Sequence, residues 1–172
     1  DGAPSPTLCA PGTWQNQTGQ ASCMNATAGH FVSSSGSTGQ SHCHLGTWQN
    51  QTGQASCMNA TAGHYVDTNG SASQTPCAAG TYNPSNGSNS SAACMNATAG
   101  HYVDINGSAS QTPCSLGTYN PSNGSNSSAA CMNATAGHYV DINGSASQTP
   151  CSLGTYNPSN GSNSSAACMN AT

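Results

Sequence analysis

Aromatic and glycine positions recur along this chain with one fixed spacing. Every aromatic residue follows a glycine by two positions and precedes another glycine by five, as Trp14 does between Gly12 and Gly19. The four residues between the aromatic and the second glycine are mostly polar. A short extended segment that enters a polar, glycine-containing turn is typical of a β-hairpin, because glycine adopts positive φ without strain. The pattern therefore predicts one small hairpin for each aromatic.

We expect these aromatics to form a repeated spine along the chain. Helix is disfavoured throughout by the abundance of Gly, Ser, Asn and Thr. The nine aromatics are Trp14, Phe31, Trp48, Tyr65, Tyr82, Tyr102, Tyr119, Tyr139 and Tyr156.

The hairpins form two alternating kinds of half-module. Three residues before each first glycine stands a cysteine (9, 43, 77, 114, 151) or an alanine (26, 60, 97, 134), in strict alternation. We call the two kinds cysteine-type and alanine-type halves. One of each makes a repeat, which predicts a linker at 1–8, repeats at 9–42, 43–76, 77–113 and 114–150, and a partial repeat at 151–172. We expect the chain to belong to a longer array.

The composition excludes a conventional hydrophobic core. Leu, Ile, Val and Phe together number 11 of 172 residues, far below the level of about 20% at which chains already fail to bury enough apolar surface. Ten evenly placed cysteines supply another route to order, which is typical of secreted proteins. The sequence therefore predicts a small disulfide-rich fold, mostly irregular with short β-hairpins, arranged as an elongated tandem-repeat ladder without a globular core. We expect it to lie outside the cell or at the cell surface.

The charge excludes two classes of partner. The chain has no Lys or Arg, and four Asp are its only acidic residues. Proteins that bind nucleic acids or anionic membranes obtain much of their affinity from basic side chains. We therefore expect no nucleic-acid partner and no direct insertion of this segment into a membrane. A nearly neutral surface favours self-association, so we expect assembly into a filament or longer array.

Asparagines stand mainly in acceptor sites for N-glycosylation. Sixteen of the 19 asparagines lie in Asn-X-Ser/Thr with X not proline, whereas the 46 Ser and Thr among 172 residues would place about five there by chance. Duplication of repeats inflates this contrast, but the sites occupy four different template positions. The alternative interpretation is that Asn is simply a turn former. The predicted acceptors are Asn16, Asn25, Asn50, Asn59, Asn69, Asn86, Asn89, Asn96, Asn106, Asn123, Asn126, Asn133, Asn143, Asn160, Asn163 and Asn170.

The template Cys-X2-Gly-Thr-Tyr, then about ten polar residues with a glycine, then Cys, resembles a known group of repeats. It is similar to the small cysteine-rich repeats of ephrin-receptor and tumour-necrosis-factor-receptor ectodomains. It resembles still more the tandem arrays of ciliate surface antigens and algal mastigoneme glycoproteins. Those repeats close each hairpin with a disulfide, whereas this chain has Ala97 and Gln111 at the two ends of one such bridge, so every second hairpin lacks it.

The resemblance implies disulfides within each cysteine-type half. The implied pairs are Cys9/Cys23, Cys43/Cys57, Cys77/Cys94, Cys114/Cys131 and Cys151/Cys168. Pairing across the alanine-type halves, beginning with Cys23/Cys43, is the alternative, and it would leave Cys9 and Cys168 for partners outside the chain.

Few residues offer catalytic or metal-binding chemistry. Acid–base catalysis needs paired titratable groups in a shielded pocket, but the carboxylates occur singly, about one per repeat. His42-Cys43-His44 resembles a metal clip, yet a disulfide-bonded cysteine gives no thiolate ligand. We therefore expect no enzyme activity, no metal site and no cofactor other than covalent N-linked glycans.

Two functional hypotheses remain. The first is a structural, heavily N-glycosylated extracellular protein that forms or coats a filament. The second is a stalk or ligand-binding ectodomain of a cell-surface receptor or adhesin. Near-identical repeats favour the first, because a polymer needs the same contact again whereas ligand sites generally need differentiated surfaces.

Overall fold

The computed structural model describes residues 8–171, so the predicted linker lies outside the described residues except for Leu8. The described chain consists of two-residue β-strands joined by turns. In chain order these are β1 (Thr13–Trp14), β2 (Met24–Asn25), β3 (His30–Phe31), β4 (Ser41–His42), β5 (Thr47–Trp48), β6 (Met58–Asn59), β7 (His64–Tyr65), β8 (Thr75–Pro76), β9 (Thr81–Tyr82), β10 (Met95–Asn96), β11 (His101–Tyr102), β12 (Thr112–Pro113), β13 (Thr118–Tyr119), β14 (Met132–Asn133), β15 (His138–Tyr139), β16 (Thr149–Pro150), β17 (Thr155–Tyr156) and β18 (Met169–Asn170).

Consecutive strands pair into two-stranded sheets, one for each aromatic: β1 with β2, β3 with β4, and so on to β17 with β18. Three single turns of 3-10 helix, Ser91–Ala93, Ser128–Ala130 and Ser165–Ala167, precede the second strand of the last three cysteine-type hairpins. No α-helix occurs in the part of the chain that the structure describes. The fold is therefore a disulfide-rich series of β-hairpins in tandem.

Contacts divide the chain into two units. The first contains the described residues up to Thr75 together with Ser85–Ala93, and the second contains Pro76–Pro84 with the residues from Cys94 onward. Within each unit the same arrangement of half-modules repeats.

Backbone hydrogen bonds join one half-module to the next. In the second unit, the Gly100 N–H donates to the carbonyl of Asn120 at 2.7 Å, and the Val103 N–H donates to that of Ser125 at 2.9 Å. A third bond runs in the opposite direction, from the Gly124 N–H to the carbonyl of Ala97 at 2.7 Å. In the first unit the equivalent donors are Gly29, Val32 and Gly53, with acceptors in Gln49, Gln54 and Ala26. Backbone hydrogen bonds therefore hold successive half-modules together, a role that a hydrophobic core has in other folds. We call this series of bonds the ladder.

The first glycine of six half-modules is required by this close packing. All eighteen template glycines have positive φ, between 69° and 89°, whereas Gly39, which lies outside the template, does not. A Cβ atom added at Gly80 would lie 2.6 Å from the carbonyl oxygen of Gly124, two half-modules further along. Any side chain at such a position would force the two half-modules apart. The first glycine of the template thus serves both the turn and the stacking.

The innermost positions are occupied by small side chains. The buried side chains are the cysteine or alanine that begins every half-module except the last, and the residue that follows the aromatic, which is Val in alanine-type halves and Gln or Asn in most cysteine-type halves. Val103 is 2% exposed and Asn120 is 1% exposed. Only such volumes fit between half-modules that are joined backbone to backbone.

The aromatics lie next to this buried column, on the strands. All are half-buried except Tyr156, which is 50% exposed. Each aromatic of a cysteine-type half stands opposite the methionine of its own hairpin, as Tyr119 does opposite Met132. The methionines are 41–45% exposed, so they lie at the surface of their hairpins and not in the buried column.

Five disulfides close the cysteine-type hairpins. They join Cys9 to Cys23, Cys43 to Cys57, Cys77 to Cys94, Cys114 to Cys131 and Cys151 to Cys168, and no cysteine is free. These are the pairs that the resemblance implies, and the alternative pairing across alanine-type halves is not adopted. Closing loops of about 15 residues stabilises a fold by roughly 3 kcal/mol per bridge in the chain-entropy view.

A glutamine closes each alanine-type hairpin instead. In the hairpin of β11 and β12, the Thr98 N–H donates to Gln111 Oε1 at 2.7 Å, and Gln111 Nε2 donates to Thr98 Oγ1 at 2.9 Å. We call this pair of hydrogen bonds the glutamine clasp. The same clasp links Gln40 with Thr27, Gln74 with Thr61 and Gln148 with Thr135. Two neutral hydrogen bonds therefore stand where the other halves carry a covalent bond.

Candidate glycan-bearing surface

The sixteen predicted glycan acceptors share one structural property. Every one of these asparagines is exposed. They lie in three settings: on the second strand of cysteine-type hairpins, in the turn before the second template glycine, and in the loops of cysteine-type halves. Since a glycan is bulky and hydrated, exposure is the first requirement of an acceptor.

The three asparagines that lack an acceptor motif are all buried. Asn83, Asn120 and Asn157 are 1%, 1% and 4% exposed. Each is followed by proline and then serine, so proline alone keeps the position from being an acceptor motif. Exposure thus separates the two sets of asparagines completely.

The buried asparagines have a structural role. Nδ2 of Asn120 donates to the carbonyl oxygen of His101 at 3.0 Å and to Ser125 Oγ at 2.8 Å. Its Oδ1 accepts the Ser122 N–H at 3.0 Å. Asn157 makes the equivalent three bonds. A buried amide is stable only when it is hydrogen-bonded in this way, and a glycan on Nδ2 would replace one of the two hydrogens that this nitrogen donates.

Five of the six turn asparagines combine a structural bond through Oδ1 with an Nδ2 that makes no hydrogen bond in the described chain. Oδ1 of Asn123 accepts the backbone N–H of Ala99 in the preceding half-module at 2.7 Å. Equivalent bonds hold Asn69, Asn86, Asn106 and Asn160. N-glycans attach to Nδ2, so a glycan here leaves the Oδ1 bond intact. These residues can support the ladder and carry a sugar at the same time.

The remaining acceptors are held less tightly by their own side chains. Asn96 and Asn133 lie on strands β10 and β14, with their side chains exposed. Asn89, Asn126 and Asn163 lie just before the three 3-10 turns, and Asn16 and Asn50 lie in the loops of the first two cysteine-type halves. In the described chain no hydrogen bond involves the side chains of these last five asparagines.

The histidines and a hollow in the first unit offer no comparable site. Within the described residues, no group of three or more His, Cys, Asp or Glu could hold a metal ion. The rings of His42 and His44 stand edge to face, with centroids 5.7 Å apart. A hollow of about 430 Å³ beside the Cys9–Cys23 bridge is lined by Leu8 and by uncharged residues such as Gln15 and Gln20.

Two features of this surface could not be anticipated from the motif alone. The first is the burial of the asparagines before proline, for which the only sequence signal is that they follow an aromatic directly. The second is the glutamine clasp, since Gln at that place reads as one more polar residue. Both involve amide side chains in which all or most hydrogen-bonding groups are used.

No protein-family model matches the chain, and no curated protein is similar to it in sequence. No helix in the described part of the chain is long and apolar enough to span a membrane. The five disulfides are typical of proteins that fold in an oxidising compartment outside the cytosol. Repeated hairpins with these disulfides make the chain a cysteine-rich tandem-repeat protein.

Proposed function

We propose that this chain is the protein part of a glycan-sheathed extracellular filament, of the kind found in flagellar hairs and cell-surface coats. Hairpins joined by backbone bonds form the protein part of the filament, and N-glycans form its hydrated sheath. The observation that carries the proposal is the complete separation of exposed acceptor asparagines from buried asparagines that proline blocks.

The low surface charge of the chain supports a glycan sheath. With no Lys or Arg and a formal charge of −4, the surface has little charge to keep molecules apart. Leu116 and Ile142 are 44% and 68% exposed, which adds apolar surface. Bulky hydrated sugars on exposed asparagines would keep such surfaces and the short strand edges from associating at random.

The filament is supported by the repetition of contacts between half-modules. The three backbone bonds that join half-modules use the same template positions throughout both units. A contact made only by backbone atoms and small side chains can be repeated without limit, as in other solenoid arrays. Extension of the array, by the same chain or by further copies, then needs no new kind of interface.

The receptor-stalk hypothesis makes a different demand on the surface. A ligand-binding ladder has to keep one face free of sugars. Site occupancy therefore distinguishes the two hypotheses, because a filament sheath predicts sugars in all three settings of the acceptor asparagines.

The test is to map occupied sites on the native protein. Glycans are removed enzymatically in heavy-oxygen water, which converts each occupied Asn to a labelled Asp. The reduced chain is then cleaved at its five methionines, since it has no Lys or Arg for trypsin. We expect label in all three settings and none at Asn83, Asn120 or Asn157. An unlabelled chain would contradict the glycan sheath, and a label confined to one setting would favour the receptor stalk.

A further inference from the structure

The sixteen acceptor motifs have the form Asn-X-Ser/Thr, and we call X the central residue. They divide into two groups according to whether the backbone of this residue takes part in the ladder. In eleven motifs the backbone N–H of that residue donates to a template carbonyl, as Gly124 does to Ala97 at 2.7 Å and Ala97 does to Gly80 at 2.8 Å. We call these the ladder motifs. They begin at Asn25, Asn59, Asn69, Asn86, Asn96, Asn106, Asn123, Asn133, Asn143, Asn160 and Asn170.

The other five motifs stay outside the ladder, and we call them the loop motifs. They begin at Asn16, Asn50, Asn89, Asn126 and Asn163, one in each cysteine-type half. The central N–H groups of the first two motifs bind only the side chain of a glutamine two residues earlier, as Gln51 binds Gln49 at 3.0 Å. In the described chain those of the other three donate to no backbone carbonyl.

The hydroxyl groups of the motifs follow the same division wherever the structure describes them, which leaves out Thr172 of the last ladder motif. In the ladder motifs, Thr98 Oγ1 accepts Gln111 Nε2 at 2.9 Å, Ser125 Oγ accepts Asn120 Nδ2 at 2.8 Å, and Ser145 Oγ donates to the carbonyl of Ile142 at 2.7 Å. In the described part of the chain, no hydrogen bond involves the hydroxyls of the loop motifs. These are Thr18, Thr52, Ser91, Ser128 and Ser165.

Glycan transfer needs the groups that the ladder occupies. The reaction forms a bond between Asn Nδ2 and the anomeric carbon of a lipid-linked oligosaccharide. The bond from that carbon to the pyrophosphate breaks, and Nδ2 loses a proton. The requirement for Ser or Thr means that the enzyme contacts the hydroxyl. A hydroxyl already bonded within the fold has to be released first, which requires local opening of the hairpin.

We infer that the five loop motifs accept N-glycans in the folded, oxidised chain, whereas the ladder motifs accept them only before their hairpins close. This inference rests on the proposal that the chain is N-glycosylated. According to this inference, sugars on ladder motifs are added before the chain folds, whereas sugars on loop motifs can be added before or after folding.

The test compares two forms of the same chain prepared without sugars. One is folded and oxidised, and the other is reduced and alkylated so that no hairpin is locked. Each is incubated with a purified oligosaccharyltransferase and its lipid-linked donor, and the occupied sites are mapped over time. In the folded form we expect transfer to the five loop motifs and at least about tenfold slower transfer to the ladder motifs. In the unfolded form we expect comparable rates in both groups.

A matched variant tests the mechanism. Gln111→Ala removes the clasp from Thr98 only, so it should raise transfer to Asn96 in the folded chain and leave transfer to Asn133, whose clasp is intact, unchanged. Equal rates at ladder and loop motifs in the wild-type folded form would overturn the inference alone. Absence of transfer to both forms would contradict the proposed glycoprotein as well.

Discussion

Gln111 and Thr98 are joined by two hydrogen bonds at the place where neighbouring half-modules carry a disulfide. Oε1 accepts the Thr98 N–H at 2.7 Å, and Nε2 donates to Thr98 Oγ1 at 2.9 Å. Ala97 and Gln111 are 14 residues apart, the separation that Cys9 and Cys23 also have. The two kinds of half-module are therefore versions of one hairpin with different closures.

This equivalence predicts that a sixth bridge can be added. The double variant Ala97→Cys with Gln111→Cys should form a disulfide and raise the free energy of unfolding by up to roughly 3 kcal/mol, less the clasp that it removes, about 1 kcal/mol per hydrogen bond. The measurements are thiol titration and denaturant unfolding. Ala97→Cys alone is the control and should leave one free thiol. Two free thiols in the oxidised double variant would show that the two closures are not equivalent.

A second prediction concerns the glycines that bring half-modules together. Gly80→Ala combines a positive φ of 89° with overlap on the Gly124 carbonyl, so we expect a loss of at least about 1–3 kcal/mol. Gly39→Ala, where φ is not positive and nothing lies within 4 Å of the added Cβ, should change the free energy of unfolding little. Similar losses in both variants, measured by denaturant unfolding, would mean that glycine stacking does not stabilise the ladder.

A third prediction concerns the buried asparagines and pH. In Asn120→Asp the carboxylate is buried and faces the carbonyl of His101 where the amide donated, so the pKa of this Asp should rise in the folded state above its unfolded value of about 3.9. The cost of burying the ionised carboxylate is therefore absent below the unfolded pKa. The free energy of unfolding falls as the pH rises through the folded pKa.

The control for this prediction is Asn123→Asp, because it is exposed and its Oδ1 can still accept the Ala99 N–H. Both variants are compared as unglycosylated chains by thermal unfolding between pH 3 and pH 7, a range of about four units around the carboxyl titration. Parallel pH profiles for the two variants would rule out the structural role assigned to Asn120.

A fourth prediction concerns the tryptophans of the first two cysteine-type halves. The Nε1 atoms of Trp14 and Trp48 are buried without a hydrogen-bond partner in the described chain, and an unsatisfied donor costs about 1–3 kcal/mol. Later cysteine-type halves have tyrosine at this position. Trp48→Tyr should therefore cost little or stabilise, whereas Tyr119→Trp should destabilise. The opposite order in thermal unfolding would show that the larger ring is preferred throughout.

Much of the fold follows from the spacing of glycines and from the scarcity of large apolar residues in the sequence. The glycine spacing predicted nine hairpins, and all eighteen template glycines have the positive φ that such turns require. The near absence of large apolar residues correctly indicated a fold without a conventional core. Local turn chemistry is read directly from residue type, so these features could be predicted from one sequence.

The inner packing could not be predicted in the same way. The regular aromatics suggested a spine, but the innermost residues are small ones such as Ala97, Val103 and Asn120. The reason is that successive half-modules meet backbone to backbone, and no spacing rule reveals that distance. Likewise Met132 is exposed and stands opposite Tyr119, because the two lie on paired strands of one hairpin.

The central claim is tested most directly by electron microscopy of the protein from its native source, before and after enzymatic removal of N-glycans. We expect thin fibres with branched density at regular intervals, at positions such as Asn59, Asn96 and Asn133, and loss of that density with lateral clumping after sugar removal. Compact, unglycosylated monomers in the native material would contradict the account.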